Sequence, residues 1–317
     1  MKIQRKEDHM KIGYQDLFSR NLGIFTQEEQ ERIRKTRVLI IGCGGIGGTV
    51  AIILARSGVA NFTLVDFDRF DVTNMNRQIC CFTDTLGQNK TEVTKEAIKK
   101  INPEAKIHTY PSYLSLDQVE TLCKDADIIF PAADDFAYSI RCFQIARRLK
   151  IPALLIVPSG LWAMISMIGP SGLTAEDLFG IPKNLDYECL KEVFTNKKYK
   201  LATYFYVRLG GWQKDYYNDF IENDLSPAQI CPLVWLASSI GSLEIIKYLS
   251  RKGTVVTLPK YWWISEAGIN IQRLYRMNLQ TLMVAQRKIM WSLFQTRLAK
   301  VLERAEFWWW KSILSKR

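Results

Sequence analysis

The sequence predicts a doubly wound α/β fold with a mainly parallel sheet, and two observations carry that prediction. Arg37–Ile41 is a short β-branched run that ends in Gly42-Cys43-Gly44-Gly45-Ile46-Gly47-Gly48 and continues into the apolar stretch Thr49–Ala55. A strand, a glycine turn and a helix in that order place free backbone N–H groups at a helix N-terminus, where phosphate is favoured. The second observation is the rhythm that follows, strand-length apolar runs alternating with helical patterns as far as residue 149, which marks successive βαβ units. The expected architecture is therefore Rossmann-like, with an additional C-terminal helical extension.

Each element has its own warrant. Residues 1–12 are polar, and Thr26-Gln27-Glu28-Glu29 is a capping-box pattern that starts a helix leading into the first strand, so residues 1–36 form an N-terminal helical arm. The second strand, Phe62–Val65, stops at Asp66, close to the ~20-residue offset of a ribose-binding carboxylate. A helix over 91–100, a strand over 106–110 and a helix over 116–124 follow. The next strand ends in the paired acids Asp134-Asp135 and leads into a helix over 136–149. Acids at that end of a parallel strand lie at the ligand edge, and Asp135 also suits a helix cap. The uncharged stretch 151–175 is interrupted by prolines and glycines and reads as two buried strands, 153–157 and 163–168, rather than a membrane span. Residues 183–226 show no clear period, and the region of about 170–226 reads as a variable crossover that carries specificity. An apolar helix over 233–249 and closing strands over 254–258 and 261–264 complete a domain of residues 37–270. From 271 to 317 the expectation is a basic amphipathic helix: Phe294, Leu298, Val301, Ala305 and Trp308 fall on one face, ending in Trp308-Trp309-Trp310. Such a helix either packs on the body or a dimer partner, or docks an acidic partner or an anionic membrane surface.

Composition bounds the function. A chain of 317 residues, 48% hydrophobic, buries one large core. No secretory signal opens it, and its seven cysteines form no C-x-x-C pair, which points to reduced thiols in a cytoplasmic protein. Two histidines leave little for zinc chemistry or histidine catalysis. Of the net charge of +11, ten Lys/Arg against two Glu place +8 in residues 272–317 and leave +3 elsewhere, so the basic balance describes a tail rather than a nucleic-acid-binding body.

Taken alone, the glycine fingerprint points first to a dinucleotide. The residues beyond it point to a nucleoside triphosphate, whose charge needs cations over the β and γ phosphates, and Arg77 and Lys90 supply them. Gly42-x-Gly44-Gly45-x-Gly47, Asp66-Phe67-Asp68, Asn74-x-Asn76-Arg77-Gln78, Gly87-x-x-Lys90 and Ile101-Asn102-Pro103 stand in the order and spacing of the ubiquitin-activating-enzyme-like adenylyltransferases, the ThiF/MoeB/HesA superfamily. The resemblance runs from about Leu17 to about Leu249 and is densest before residue 140.

That resemblance implies ATP and Mg2+ as cofactors and an acyl-adenylate-forming reaction on a carboxylate, with pyrophosphate released. The substrate would be a peptide or small-protein C-terminus or side chain, in peptide tailoring or a ubiquitin-like or sulfur-carrier pathway. It aligns Asp134 with the family's Mg2+ aspartate and Arg20 with an arginine that reaches the triphosphate, often that of a neighbouring subunit, implying a homodimer. Asp68, Asn74 and Gln78 belong to its nucleotide-binding motifs. The two C-x-x-C zinc pairs of many members are missing, and Cys189 and Cys231 alone stand where a thioester cysteine would. Thr73–Gln78 also resembles a group that activates a carboxylate on a modified tRNA adenosine, the one reading here that involves nucleic acid. A catalytically silent nucleotide-binding scaffold and a dehydrogenase are the remaining alternatives.

Overall fold

The computed structural model describes residues 12–195 and 225–276, together with scattered positions within 211–220 and 280–288. The N-terminal residues before 12, most of 196–224 and the tail from 289, including the expected amphipathic helix, lie outside the described residues.

In chain order the elements are α1 (Tyr14–Leu17), α2 (Gln27–Lys35), β1 (Arg37–Ile41), α3 (Gly45–Arg56), β2 (Asn61–Val65), α4 (Lys90–Ile101), β3 (Lys106–Tyr110) and α5 (Leu116–Cys123). They continue with β4 (Ile128–Pro131), α6 (Phe136–Arg148), β5 (Ala153–Ser159), β6 (Trp162–Ile168), α7 (Ala175–Phe179) and α8 (Tyr187–Thr195). The long helix α9 (Cys231–Ser250) and the strands β7 (Lys260–Ser265) and β8 (Gly268–Arg273) complete the series.

One eight-stranded sheet runs in the order β3-β2-β1-β4-β5-β6-β7-β8. The five strands from β3 to β5 are parallel; β6, β7 and β8 add antiparallel pairs at the other edge. The order follows from the sequence pattern. Strands buried on both faces read as continuous apolar runs, and alternate residues then serve opposite cores. Val38 and Ile40 of β1 face α3, α4 and α9 with Phe62, Phe130 and Ile245, whereas Leu39 and Ile41 face the α5–α8 side with Ile129, Phe143 and Leu155.

Local signals set the helix ends as expected. Thr26 Oγ1 accepts from the Glu29 amide at 3.2 Å and Glu29 Oε2 accepts from the Thr26 amide at 2.8 Å, a reciprocal cap worth about 1 kcal/mol. Asp135 caps α6 by accepting from the Tyr138 amide at 3.0 Å. Pro232 sits in the first turn of α9, where its missing N–H costs nothing.

Three expectations need correction or extension. Residues 254–258 are not a strand: only Thr257 bridges to Met167, and the Val256 amide donates to the Glu244 carboxylate at 2.8 Å instead of joining a ladder. Within the stretch expected to lack a period, Tyr187–Thr195 is a helix that packs on α6 through Leu190 and Val193. The final strand, β8, was not foreseen; it runs through position 270 to Arg273. Under α9 the fully buried Glu244 accepts from Lys247 Nζ at 2.6 Å and from Trp262 Nε1 at 2.8 Å, besides the Val256 amide. A buried carboxylate survives when its lone pairs are all engaged in this way.

Candidate active site at the carboxyl edge of the sheet

The chain turns from β1 into α3 through a loop that only glycine can form. Gly42 has φ +99°, and a Cβ there would lie 2.5 Å from the Ala132 carbonyl oxygen. A Cβ on Gly47 would lie 1.8 Å from the Gly42 oxygen, so the first turn of α3 rests directly on the loop. Gly44 caps α3 without a side-chain bond, which leaves the first-turn amides of Gly45, Ile46 and Gly47 open at this edge.

The acids after β2 brace that loop. Asp66 accepts from the Cys43 amide at 2.6 Å and from the Asp68 amide at 2.8 Å. Burial pushes the Asp66 carboxyl above its ordinary value, opposed by the Lys90 charge and by those two amides. Asp68 in turn holds the almost wholly buried Lys90 ammonium at 2.9 Å, while the Lys90 amide donates to the Asp68 carbonyl at 3.1 Å. Pairing of 68–70 with 87–90, centred on the Arg69–Asn89 bridge, delivers Lys90 to this position.

Arg77 lies against the glycine loop, its Cγ 3.5 Å from where a Gly45 Cβ would stand. Its Nε donates to Gln229 Oε1 at 2.9 Å and its Nη1 to the Thr73 carbonyl and Asn76 Oδ1. Gln78 is buried beside Gly44, and its Oε1 has no partner. Asn74 closes a turn by accepting from the Asp71 amide at 3.2 Å. Asp134, just past β4, is exposed and makes no hydrogen bond or ion pair among the described residues. Asp135 beside it, besides capping α6, accepts from the Tyr187 hydroxyl at 2.6 Å, which pushes that phenol above its ordinary value.

The structure therefore gathers the glycine loop, Asp66, Asp68, Asn74, Arg77, Gln78, Lys90 and Asp134 at one edge, but Arg20 stands apart. Its neighbour Asn21 donates to the Ser57 carbonyl, just past the far end of α3, about 18 Å from the loop along a twelve-residue helix. Sequence reasoning missed Gln229, which also accepts at its carbonyl from Asn76, and Trp235, whose Nε1 donates to the Arg77 carbonyl at 2.9 Å. Both stand more than 150 residues from Arg77; the one local signal was Cys231-Pro232 as a helix start.

Five of the seven thiols, Cys43, Cys80, Cys81, Cys123 and Cys142, are buried, and Cys231 is half-buried. Burial pushes Cys80 to about 11 and Cys123 to about 12. Cys189 is exposed, but its hydrogen bond and charge contact with Asp186 raise it too. Among the described residues no three His, Cys, Asp or Glu side chains converge as a metal-binding group. No helix among them is long and apolar enough to cross a membrane.

The profile of the ThiF family matches residues 18–281. The chain belongs to the ThiF family. Among curated ThiF relatives, a tRNA threonylcarbamoyladenosine dehydratase from Haemophilus influenzae is 33% identical over 149 residues, 47% of this chain and 57% of that protein. Protein HesA from Leptolyngbya boryana is 31% identical over 146 residues, 46% of this chain and 53% of its own. The chain thus spans about half the length of the curated relatives it matches. Among solved structures, E. coli MccB with ATP superposes with a TM-score of 0.61 at 23% identity, covering 82% of this chain and 72% of that one. PaaA gives a TM-score of 0.61 at 21% identity, covering 82% of each. At these identities the likeness is one of fold, and it confirms the Rossmann-like architecture.

Proposed function

We propose that this ThiF-family chain is an ATP-dependent adenylyltransferase that activates a carboxylate as acyl-AMP. The observation that carries the reading is the convergence of Arg77 and Lys90 on one glycine loop whose helix-terminal amides are open. A dinucleotide diphosphate needs no such pair of cations.

In this reading the triphosphate lies across Gly42–Gly47, with Asp66 toward the ribose and Asp68, Asn74 and Gln78 shaping the nucleotide's surroundings. Lys90 and Arg77 neutralise the phosphates: the Lys90 ammonium has donors left beyond Asp68, and Arg77 Nη2 has no partner among the described residues. The orphaned Gln78 Oε1 beside Gly44 offers an acceptor to a nucleotide hydroxyl or amine. A single exposed carboxylate fits Mg2+, which is bound by one or two carboxylates together with substrate phosphates; Asp134 is the residue that would hold it. Bound there, the ion would screen the triphosphate charge.

A substrate carboxylate oxygen attacks the α-phosphorus, the bond from that phosphorus to the bridging oxygen breaks, and pyrophosphate leaves with the bond's electrons. The carboxylate is already ionised at neutral pH, so the protein needs no strong base. Its part is positioning and charge neutralisation. Five buried thiols and the raised Cys189 favour transfer of the acyl group to an external nucleophile, with the half-buried Cys231 the remaining thioester candidate.

A peptide or small-protein carboxylate is the favoured substrate class, and the names of MccB complexes with ATP and with N-formylated MccA fit it. A carboxylate on a modified tRNA adenosine is the second reading, supported by the dehydratase relatives. Because Arg20 is remote from its own loop, it would serve the site of a second copy in a homodimer.

ATP–pyrophosphate exchange tests the reading. Exchange stimulated by candidate peptides, and lost in Asp134→Ala without a change in Tm, is the expected result. Tight NAD binding without exchange, or full activity in Asp134→Ala, overturns it. Stimulation by tRNA alone selects the second reading.

A further inference from the structure

The opposite edge of the sheet holds a second basic site unconnected to the glycine loop. A cavity of about 610 Å³ opens between the C-terminal half of α6, the end of β6 and the start of α7. Ala153 and Ile168 pair at this edge, so the cavity lies by the amino ends of the parallel strands.

Its walls carry Arg141, Arg147, Arg148, Lys150 and Lys183 against a single lining carboxylate, Glu176. Arg148 is paired with Glu120 and Lys183 with Asp177. That leaves Arg141, Arg147 and Lys150, three cations that form no ion pair among the described residues, against Glu176, which accepts from Gln144 Nε2 at 2.9 Å. Arg141 spends Nη1 on Gln144 and the Leu185 carbonyl, but its buried Nε has no acceptor. Arg147 has a buried Nη1 without an acceptor among the described residues. Buried donors of a charged group left open are costly, and folded chains seldom keep two in one cavity wall.

We propose that this cavity binds a small phosphate-bearing molecule through Arg141, Arg147 and Lys150. With Asp186 close enough to Arg141 to feel its charge, the three cations still outnumber the nearby carboxylates, a positive excess that suits a phosphate group of roughly −1.5 to −2 at neutral pH. Guanidinium donors from two arginines of α6 suit its several acceptor oxygens better than a lone ammonium would. The volume leaves space for a body beyond the phosphate. The inference is independent of the chemistry proposed at the glycine loop.

Inorganic phosphate, titrated calorimetrically into the full chain in chloride buffer, is the probe. Saturable binding is expected, weakened about tenfold or more by Arg147→Gln and less by Arg141→Lys, which keeps the charge and loses the fork. Lys90→Ala should leave it unchanged. Phosphate should raise the Tm of the wild-type chain and not that of Arg147→Gln. If Arg147→Gln does not fold, the exposed Lys150→Gln carries the test and should weaken binding about threefold. No saturable binding, unchanged affinity in the cavity variants, loss confined to Lys90→Ala, or citrate binding as tightly as phosphate would each overturn the proposal.

Discussion

Lys90 shows how a single residue links structure to chemistry. Its ammonium is held on Asp68 and lowers the neighbouring Asp66 carboxyl against the upward push of burial. In Lys90→Met that restraint is gone, and Asp66 should titrate higher still. The sign matters for stability: a carboxyl raised in the folded state favours folding while protonated. That contribution is full below the ordinary value near 3.9 and is lost as pH rises through the folded value. Lys90→Met should move the upper end of this window upward, read from the Asp66 side-chain carboxyl resonance in a pH titration. The same variant should lose at least about a hundredfold in ATP–pyrophosphate exchange, the scale of removing one preorganised charge. An unmoved Asp66 titration would show that the two groups do not sense one another.

At the scale of elements, legibility followed the range of the interactions. The glycine loop, the Thr26 cap and the Asp135 cap are settled within a few residues, and the sequence displayed them. Helix α8 was missed because its apolar positions Tyr187, Leu190 and Val193 span only nine residues, too short a run to stand out in the polar stretch around it. Residues 254–258 misled for the opposite reason: Thr-Val-Val-Thr-Leu has strand propensity, but the Val256 amide is claimed by Glu244, twelve residues back. Gln229 was invisible because its partner is Arg77. Gln229→Ala should raise the KM for ATP several-fold by releasing Arg77 Nε, with kcat less affected and Tm nearly constant. A Tm drop without a KM change would make Gln229 merely structural. Glu244→Ala should instead destabilise by about 3–5 kcal/mol, seen in denaturant unfolding, because it strands two N–H donors and takes the carboxylate from Lys247, which keeps the Thr254 carbonyl.

For the whole molecule, the decisive fact is the distance between Arg20 and its own glycine loop. If Arg20 serves a partner's site, Arg20→Ala and Asp134→Ala are each inactive alone yet complement one another. Mixed after dissociation, half the dimers pair one variant with the other, and one of their two sites is intact, so about a quarter of wild-type exchange should return. No recovery, with mixed dimers confirmed by mass, would remove Arg20 from the chemistry. The parallel half of the sheet was readable because β1, β4 and β5 are dominated by apolar runs and the polar edge strand β3 is placed by the helices on either side of it. The antiparallel edge was only half readable, since β8 exposes most of its residues and lacks that pattern.

The change of direction between β5 and β6 has a further consequence. It turns a hairpin tip toward the carboxyl edge, where the Gly160 amide donates to the Ala228 carbonyl and Gly160 bridges to Gln229, the residue that steadies Arg77. The parallel strands supply the glycine loop, while the hairpin and the chain preceding α9 form a rim beside it, joined to Arg77 through Gln229. Mutation of that rim outside Gln229 can therefore rework it while the glycine loop stays intact. A lineage built on this plan diversifies by exchanging its rim, so exchange between relatives of the segment from Pro170 to Ala228 should carry substrate preference with it and leave ATP handling behind.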